Sequence, residues 1–329
     1  MKILIIGGTR FLGRHLVESA LARGHEVTLF NRGKSNPDLF KQVQTVRGDR
    51  EKDLDQISGK YDAVIDTCGY FPRIVRMSAE ALKGKARSYV FISSISVYAG
   101  FSKIGINESD PVGKIEDETI EEITGESYGP LKALCENAVQ DVFGEQALIV
   151  RPGLIVGPHD PTDRFTYWPV RVARGGDVLT PEKPDVPIQI IDVRDLSDFV
   201  IELLQQNEFG VFNATGPAHE LTLGAMLNAC KQVSGSGANF KWASVEFLNQ
   251  NQVAPWSDMP VWVPNVPEDA GFSRVDISKA MRSGLKFMPL EKTIRDTIDW
   301  EKSRSSDHEW RAGLKPDREK ELLRLLDVQ

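Results

Sequence analysis

Lys2-Ile3-Leu4-Ile5-Ile6-Gly7-Gly8-Thr9-Arg10-Phe11-Leu12-Gly13 stands at the head of the sequence, and the reading of this stretch decides the fold. Residues 2–6 form an apolar run ended by glycine, the pattern of a strand buried on both faces. Residues 13–23 follow with Leu16, Val17, Ala20 and Leu21 on one face and Gly24 as a stop, which predicts an amphipathic helix. A glycine in the turn between them lets the backbone approach a diphosphate, whose charge then lies at the helix N-terminus. A later glycine lets helix and strand pack closely. Position gives this turn its weight, because it directly follows an apolar strand and opens a helix.

Outward from the turn, the alternation continues. Strands are predicted at 26–30, 44–47, 63–66, 88–93 and 148–151, with helices at 74–82 and 131–142. Such alternation implies an α/β protein with a doubly wound parallel sheet of the Rossmann type, covered on both faces. After Pro152 the character changes, and prolines thicken between 158 and 187 and between 255 and 267. Further strands are expected at 188–193 and 210–215, a helix at 221–232, and an amphipathic packing helix at 317–326. The layout read from this is a dinucleotide-binding domain at 1–156, to which the 210–216 strand returns. Residues 157–329 form mainly a smaller C-terminal α/β substrate domain.

Bulk properties narrow the function. The chain has 329 residues, 41 % hydrophobic and 26 % charged, near the usual values for globular proteins. A formal charge of −7 disfavours nucleic acid or an anionic membrane as partner. Cys68, Cys135 and Cys230 are odd in number and widely spaced, which suggests neither a disulfide framework nor a metal site and fits a reducing compartment. The first apolar run is too short for a signal peptide, and no stretch is long enough to cross a bilayer. A cytoplasmic protein with no membrane partner is expected.

Two features carry cofactor and chemistry. NAD-specific proteins place an acid at the end of the second strand to bind the ribose 2′-hydroxyl, whereas arginine accommodates a 2′-phosphate. Here Asn31-Arg32 follows Phe30, with Lys34 close by. Arg10 and Arg32 would flank the 2′-phosphate, so NADP(H) is expected ahead of NAD(H). The second feature is Tyr128-Gly129-Pro130-Leu131-Lys132, a tyrosine and lysine four apart on an early helical turn. A phenol with a pKa of about 10 is a poor base near neutrality. A nearby ammonium and an oxidised nicotinamide favour the phenolate. None of the other five tyrosines has lysine at the fourth position. Ser94 lies at the C-terminal end of the fifth strand, where α/β proteins build ligand sites.

These segments resemble the extended short-chain dehydrogenase/reductase superfamily, its NAD-dependent epimerase/dehydratase-like family, and within it a Gly-Gly-Thr-Arg-Phe-Leu-Gly (GGTRFLG) subgroup. The resemblance implies that Ser94, Tyr128 and Lys132 are catalytic and that Lys132 also holds the nicotinamide ribose. It implies that Gly7, Thr9, Arg10, Phe11, Leu12 and Gly13 cradle the cofactor and that Asp49 contacts adenine. Cys68 and Gly69 would let the cofactor pass, and Pro152, Gly153 and Leu154 would line the nicotinamide pocket. A homodimer is implied as well.

Departures from the family patterns shape the expected chemistry. Arg10 stands where a middle glycine is usual. Ile95-Ser96 replaces the acid pair of dehydratases, and Leu154 replaces the asparagine of nucleotide-sugar epimerases. The expectation is reversible NADP(H)-dependent hydride transfer between nicotinamide and a small-molecule carbonyl or alcohol. One alternative is an NAD-dependent nucleotide-sugar epimerase. Another is an RNA-binding or cofactor-sensing protein, because this loop form also occurs in plastid stem-loop RNA-binding proteins of the same fold. In the loop after the sixth strand, Arg164 would meet an anionic substrate and Tyr167 a ring. The competing reading pairs Arg164 with Asp163 and leaves the aromatics as interdomain core. His159 and Asp160 are side by side, and no ligand spacing supports a metal.

Overall fold

The structure, a computed structural model, describes residues 1–305 and 307–328. A parallel seven-stranded sheet organises it in the order β3-β2-β1-β4-β5-β6-β11. The strands are β1 (Lys2–Ile6), β2 (Glu26–Asn31), β3 (Gln44–Arg47), β4 (Tyr61–Asp66), β5 (Ala86–Ile92), β6 (Ala147–Pro152) and β11 (Gly210–Ala214). Strand order reverses between β1 and β4, the crevice at which doubly wound sheets bind ligands. Because side chains alternate along a strand, β1 feeds two cores. Ile3 and Ile5 join Leu16, Val17, Leu196 and Phe199 of helices α1 (Phe11–Ala22) and α5 (Val193–Gln206). Leu4 and Ile6 join Val75, Ala79, Ala138 and Val139 of helices α2 (Pro72–Leu82) and α3 (Tyr128–Phe143) on the opposite face. Strand β11 pairs with β6 through Gly210–Leu148 to Ala214–Pro152, so a late segment completes the sheet.

Beyond β6 much of the chain packs around a second core. Its elements include β7 (Leu154–Val156), α4 (Tyr167–Ala173), β8 (Asp177–Pro181), β9 (Pro187–Ile188) and β10 (Ile190–Asp192). They continue with β12 (Leu221–Thr222), α6 (Leu223–Ser234), β13 (Asn239–Ala243), α7 (Val245–Gln250), α9 (Leu290–Glu301) and α10 (Pro316–Leu326), whereas α8 (Ser278–Arg282) packs on β11 and puts Ala280 into the first core, with Ile3 and Ile5. Trp168, Met226, Phe247 and Trp262 centre the second core.

The strand expected over 188–193 is divided at Gln189 into β9 and β10, and it ends at Asp192, which caps a helix. Its carboxylate accepts the Arg194 N–H at 2.8 Å, and Val193 becomes the first residue of α5. No helix among the described residues is long and apolar enough to cross a membrane.

Candidate active site

The β1–α1 turn is built for close approach. Gly7 has φ +106° and Gly8 φ +89°, backbone that residues with a side chain rarely adopt. A Cβ on Gly13 would stand 2.8 Å from Gly8 N and 2.9 Å from Gly8 Cα, so α1 rests directly on the loop backbone. Arg10 has φ −128° and ψ 140°, an extended conformation open to any residue, so the loop needs no middle glycine. No side chain caps α1, and its first turn carries no acid. The turn therefore fits a dinucleotide diphosphate, with Phe11 and Leu12 offering N–H groups and Arg10 an exposed cation at its rim.

At the end of β2 the Asn31 amide is spent on backbone. It donates to Gly7 O at 3.1 Å and accepts from Gly33 N at 2.9 Å. Arg32 is exposed beyond it, and Asp49 uses its carboxylate to accept the Glu51 N–H at 3.1 Å in the turn after β3. A cavity of about 290 Å³ adjoins the α1 N-terminus. Thr9, Arg10 and Arg14 line one side of it, and His159, Asp160 and Arg304 the other. Burial, with the charges of Arg14 and His15, brings His159 down to about 4. It is therefore neutral at neutral pH. Burial pushes Asp160 up to about 6, against the bonds it accepts from Thr162.

The crevice floor rests on an ion pair that the sequence did not announce. Asp66, at the end of β4 and 0 % exposed, is gripped by Arg50 through Nη2–Oδ2 at 2.7 Å and Nη1–Oδ1 at 3.1 Å. Tyr89 OH donates to the same carboxylate at 2.9 Å, as does Cys68 N at 3.1 Å. This pins Cys68-Gly69, whose Gly69 O accepts from Lys132 Nζ at 2.8 Å. Burial raises the Cys68 thiol to about 11, so it stays protonated and is no nucleophile here.

Local packing brings the candidate catalytic groups together. Ser94 follows β5, and its Oγ accepts the Ser96 N–H at 3.1 Å, capping a short turn. Gly129 lets α3 lie directly on that turn, since a Cβ there would stand 2.1 Å from Ser96 O. Tyr128, the first residue of α3, is thereby brought to Ser94. Burial raises the Tyr128 phenol above its ordinary value, while the facing Ser94 hydroxyl and the Arg164 guanidinium oppose that rise. Lys132 sits one turn on, 4 % exposed, with Nζ bonded to Ile92 O at 2.6 Å as well as to Gly69 O. Its ammonium lies 4.2 Å from the Phe91 ring centroid, and burial brings it down to about 8. The Arg164 charge favours the Tyr128 phenolate, and Lys132 Nζ is directed to the backbone of the crevice floor. Behind Lys132, Arg151 grips buried Glu136 through Nε–Oε1 at 2.9 Å and Nη2–Oε2 at 2.6 Å. Gly153 passes close to the residue just beyond β11, where a Cβ would meet Thr215 Oγ1 at 2.2 Å. Pro152 and Leu154 flank it at the C-terminal edge of the sheet.

The loop after β7 divides the remaining candidates. Asp163 pairs with Arg304 at 2.7 Å and His308 at 3.0 Å, not with Arg164. Tyr167 is buried in the second core, its ring packed on Gly313, so it is a packing residue and the reading of it as a substrate contact is set aside. Arg164 stays at the cleft. The structure adds Tyr70, Trp256 and Arg304, which no sequence motif marks. Tyr70 has a positional signal, since it directly follows Gly69 beyond the end of β4, where ligand sites form. Its ring lies 5.6 Å from Lys132 Nζ. Trp256 and Arg304 lie far along the chain in segments of weak period, and only folding brings them in.

Comparison with known proteins agrees with this frame. The pattern of the family described as "NAD dependent epimerase/dehydratase family" matches residues 3–214. The chain is 27 % identical over 263 residues to the "Chloroplast stem-loop binding protein of 41 kDa b, chloroplastic" of Arabidopsis thaliana, covering 71 % of this chain and 63 % of that protein. It is 29 % identical over 189 residues to a 3-beta-hydroxysteroid dehydrogenase of Mycolicibacterium neoaurum, covering 49 % of each. The chain thus spans about half to two-thirds of these curated relatives. Among solved structures, UDP-N-acetylglucosamine 4-epimerase from Bacillus cereus superposes with TM-score 0.69 at 17 % identity, over 94 % of this chain and 99 % of that one. UDP-glucuronic acid 4-epimerase from the same organism, in complex with NAD, gives 0.67 at 17 % identity, over 92 % and 99 %. Both likenesses are of fold. With the family pattern running through the glycine turn, the serine segment and the Tyr-Lys helix, the chain belongs to the NAD dependent epimerase/dehydratase family, whose members are NAD(P)-dependent enzymes of the extended short-chain dehydrogenase/reductase type.

Proposed function

We propose that the protein catalyses reversible oxidation of an alcohol, or reduction of the matching carbonyl, on a small molecule. The observation that carries this reading is the Ser94 hydroxyl facing the Tyr128 phenol at the C-terminal edge of the sheet, beside a glycine turn that fits a diphosphate. When bound, a nicotinamide dinucleotide supplies the hydride acceptor or donor. Tyr128 Oη takes the proton from the reacting hydroxyl, or returns it to the carbonyl oxygen. Ser94 Oγ donates to that same oxygen and fixes its position. Lys132 holds the crevice floor, where it would also reach a nicotinamide ribose.

For the cofactor, NADP(H) is preferred. No acid stands at residue 31 to repel a 2′-phosphate, and Arg10 and Arg32 are both exposed beyond the C-terminal ends of the adjacent strands β1 and β2. Arg32→Ala is expected to weaken NADPH about tenfold or more, the loss of a charge-assisted bond, with little effect on NADH. Equal losses in fluorescence titrations of the two would remove the case for NADP.

An epimerase cycle is the second reading, favoured by the NAD-bound 4-epimerases of this fold. It predicts NAD that purifies with the protein and does not exchange. An RNA-binding role, prompted by the chloroplast relative's name, fits poorly with a charge of −7.

A further inference from the structure

We propose that the substrate carries an anionic group, carboxylate or phosphoryl, close to its reacting carbon, and that Arg164 binds this group and selects for it. This deepens the alcohol–carbonyl reading above and rests on it. Arg164 is half-buried at the cleft, and its guanidinium lies 5.2 Å from the Trp256 ring centroid. It takes part in no ion pair or side-chain hydrogen bond among the described residues, and two acids of its own loop are engaged elsewhere. Asp163 is consumed by Arg304 and His308. Asp160, the acid whose charge acts on Arg164, is buried and spends its oxygens on Thr162.

A desolvated guanidinium kept from both neighbouring carboxylates has unused donors in a fixed planar fork, the geometry that matches carboxylate or phosphate oxygens. The Trp256 face holds that fork in one orientation without using its N–H groups. Its position supplies the function. The charge of Arg164 acts on the Tyr128 phenol, so an anion bound to it lies in the neighbourhood of the reacting hydroxyl. The same cation favours the phenolate of Tyr128, against burial and the neighbouring Cys135 thiol.

The test uses tryptophan fluorescence of the full chain titrated with oxalate and with inorganic phosphate, for wild type, Arg164→Gln and Arg164→Lys. Saturable binding of at least one anion is expected. Arg164→Gln should weaken it about tenfold or more, and Arg164→Lys should restore part of the loss, since lysine keeps the charge and loses the fork. Tighter oxalate assigns a carboxylate, and tighter phosphate a phosphoryl group. Because Arg164 makes no ion pair, the thermal midpoint should barely move, whereas the Tyr128 phenol should ionise at higher pH in Arg164→Gln. Unchanged anion affinity in Arg164→Gln, or no binding of either anion by wild type, overturns the proposal. Arg164-dependent anion binding in a protein whose turnover ignores Tyr128→Phe would instead leave this site standing and overturn the alcohol–carbonyl reading.

Discussion

Tyr128→Phe is expected to lower turnover about 10²- to 10⁴-fold, the usual contribution of a positioned general acid or base. Binding of the dinucleotide should change little, because the phenol lies toward the substrate and the cradle is made of backbone. The substitution removes one hydroxyl and leaves the ring, and it keeps the bond from the Tyr128 N–H to Thr124 O at 3.1 Å at the start of α3. Steady-state rates with matched cofactor titrations check this. A variant keeping more than about a tenth of wild-type turnover would take the proton-transfer role away from Tyr128.

Arg50→Met has the largest effect expected on stability. It strands the Asp66 carboxylate at 0 % exposure, and breaking a buried pair from one side costs about 3–5 kcal/mol. Tyr89 and Cys68 still donate to Asp66, which places the loss toward the lower end of that range. The sign of the pH dependence follows from the carboxyl. In the native protein burial pushes Asp66 up, but the charge and hydrogen bonds of Arg50, with the bonds from Cys68 and Tyr89, together hold it below the ordinary carboxylate range. The stability this gives is present above the unfolded pKa and is lost as pH falls through the lower folded value. Without Arg50, burial prevails and the folded carboxyl rises above its unfolded value. The deficit of the variant should then be largest near neutrality and shrink as acid protonates Asp66. Urea denaturation at several pH values measures this, and Arg50→Met with Asp66→Asn should recover most of the loss. A neutral-pH loss below about 1 kcal/mol, or one that does not shrink in acid, contradicts the account.

The central sheet was legible because it is local. Each strand of the first half is an apolar run between turn residues, and β1 with its glycines reports sheet, helix and crevice at once. Helix α5 is masked in the sequence although Val193, Leu196, Phe199 and Val200 share a face, because the run before it reads as a strand that continues. Helix α9 lies in a segment whose apolar stripe is thin, Ile294 being its one fully buried aliphatic side chain. Within the site, Ser94, Tyr128 and Arg164 were named from sequence and meet in space. The partner of Lys132 was not legible, because it is a backbone carbonyl set by Arg50 and Asp66, sixteen positions apart. Nor could spacing reveal that Asp163 prefers Arg304, which lies 141 positions away, to its sequence neighbour Arg164.

The account turns on a nicotinamide dinucleotide bound beside Tyr128, and tyrosinate absorbance as a function of pH tests that most directly. The titration is run on the free protein and on the protein saturated with oxidised cofactor, alongside Tyr128→Phe. Burial holds the phenol above its ordinary value in the free protein, and a cationic ring beside it favours the phenolate. One tyrosine should therefore ionise at lower pH when cofactor is bound, and that step should be missing from Tyr128→Phe. Failure to bind either dinucleotide, or a tyrosine titration indifferent to the cofactor, would contradict the account.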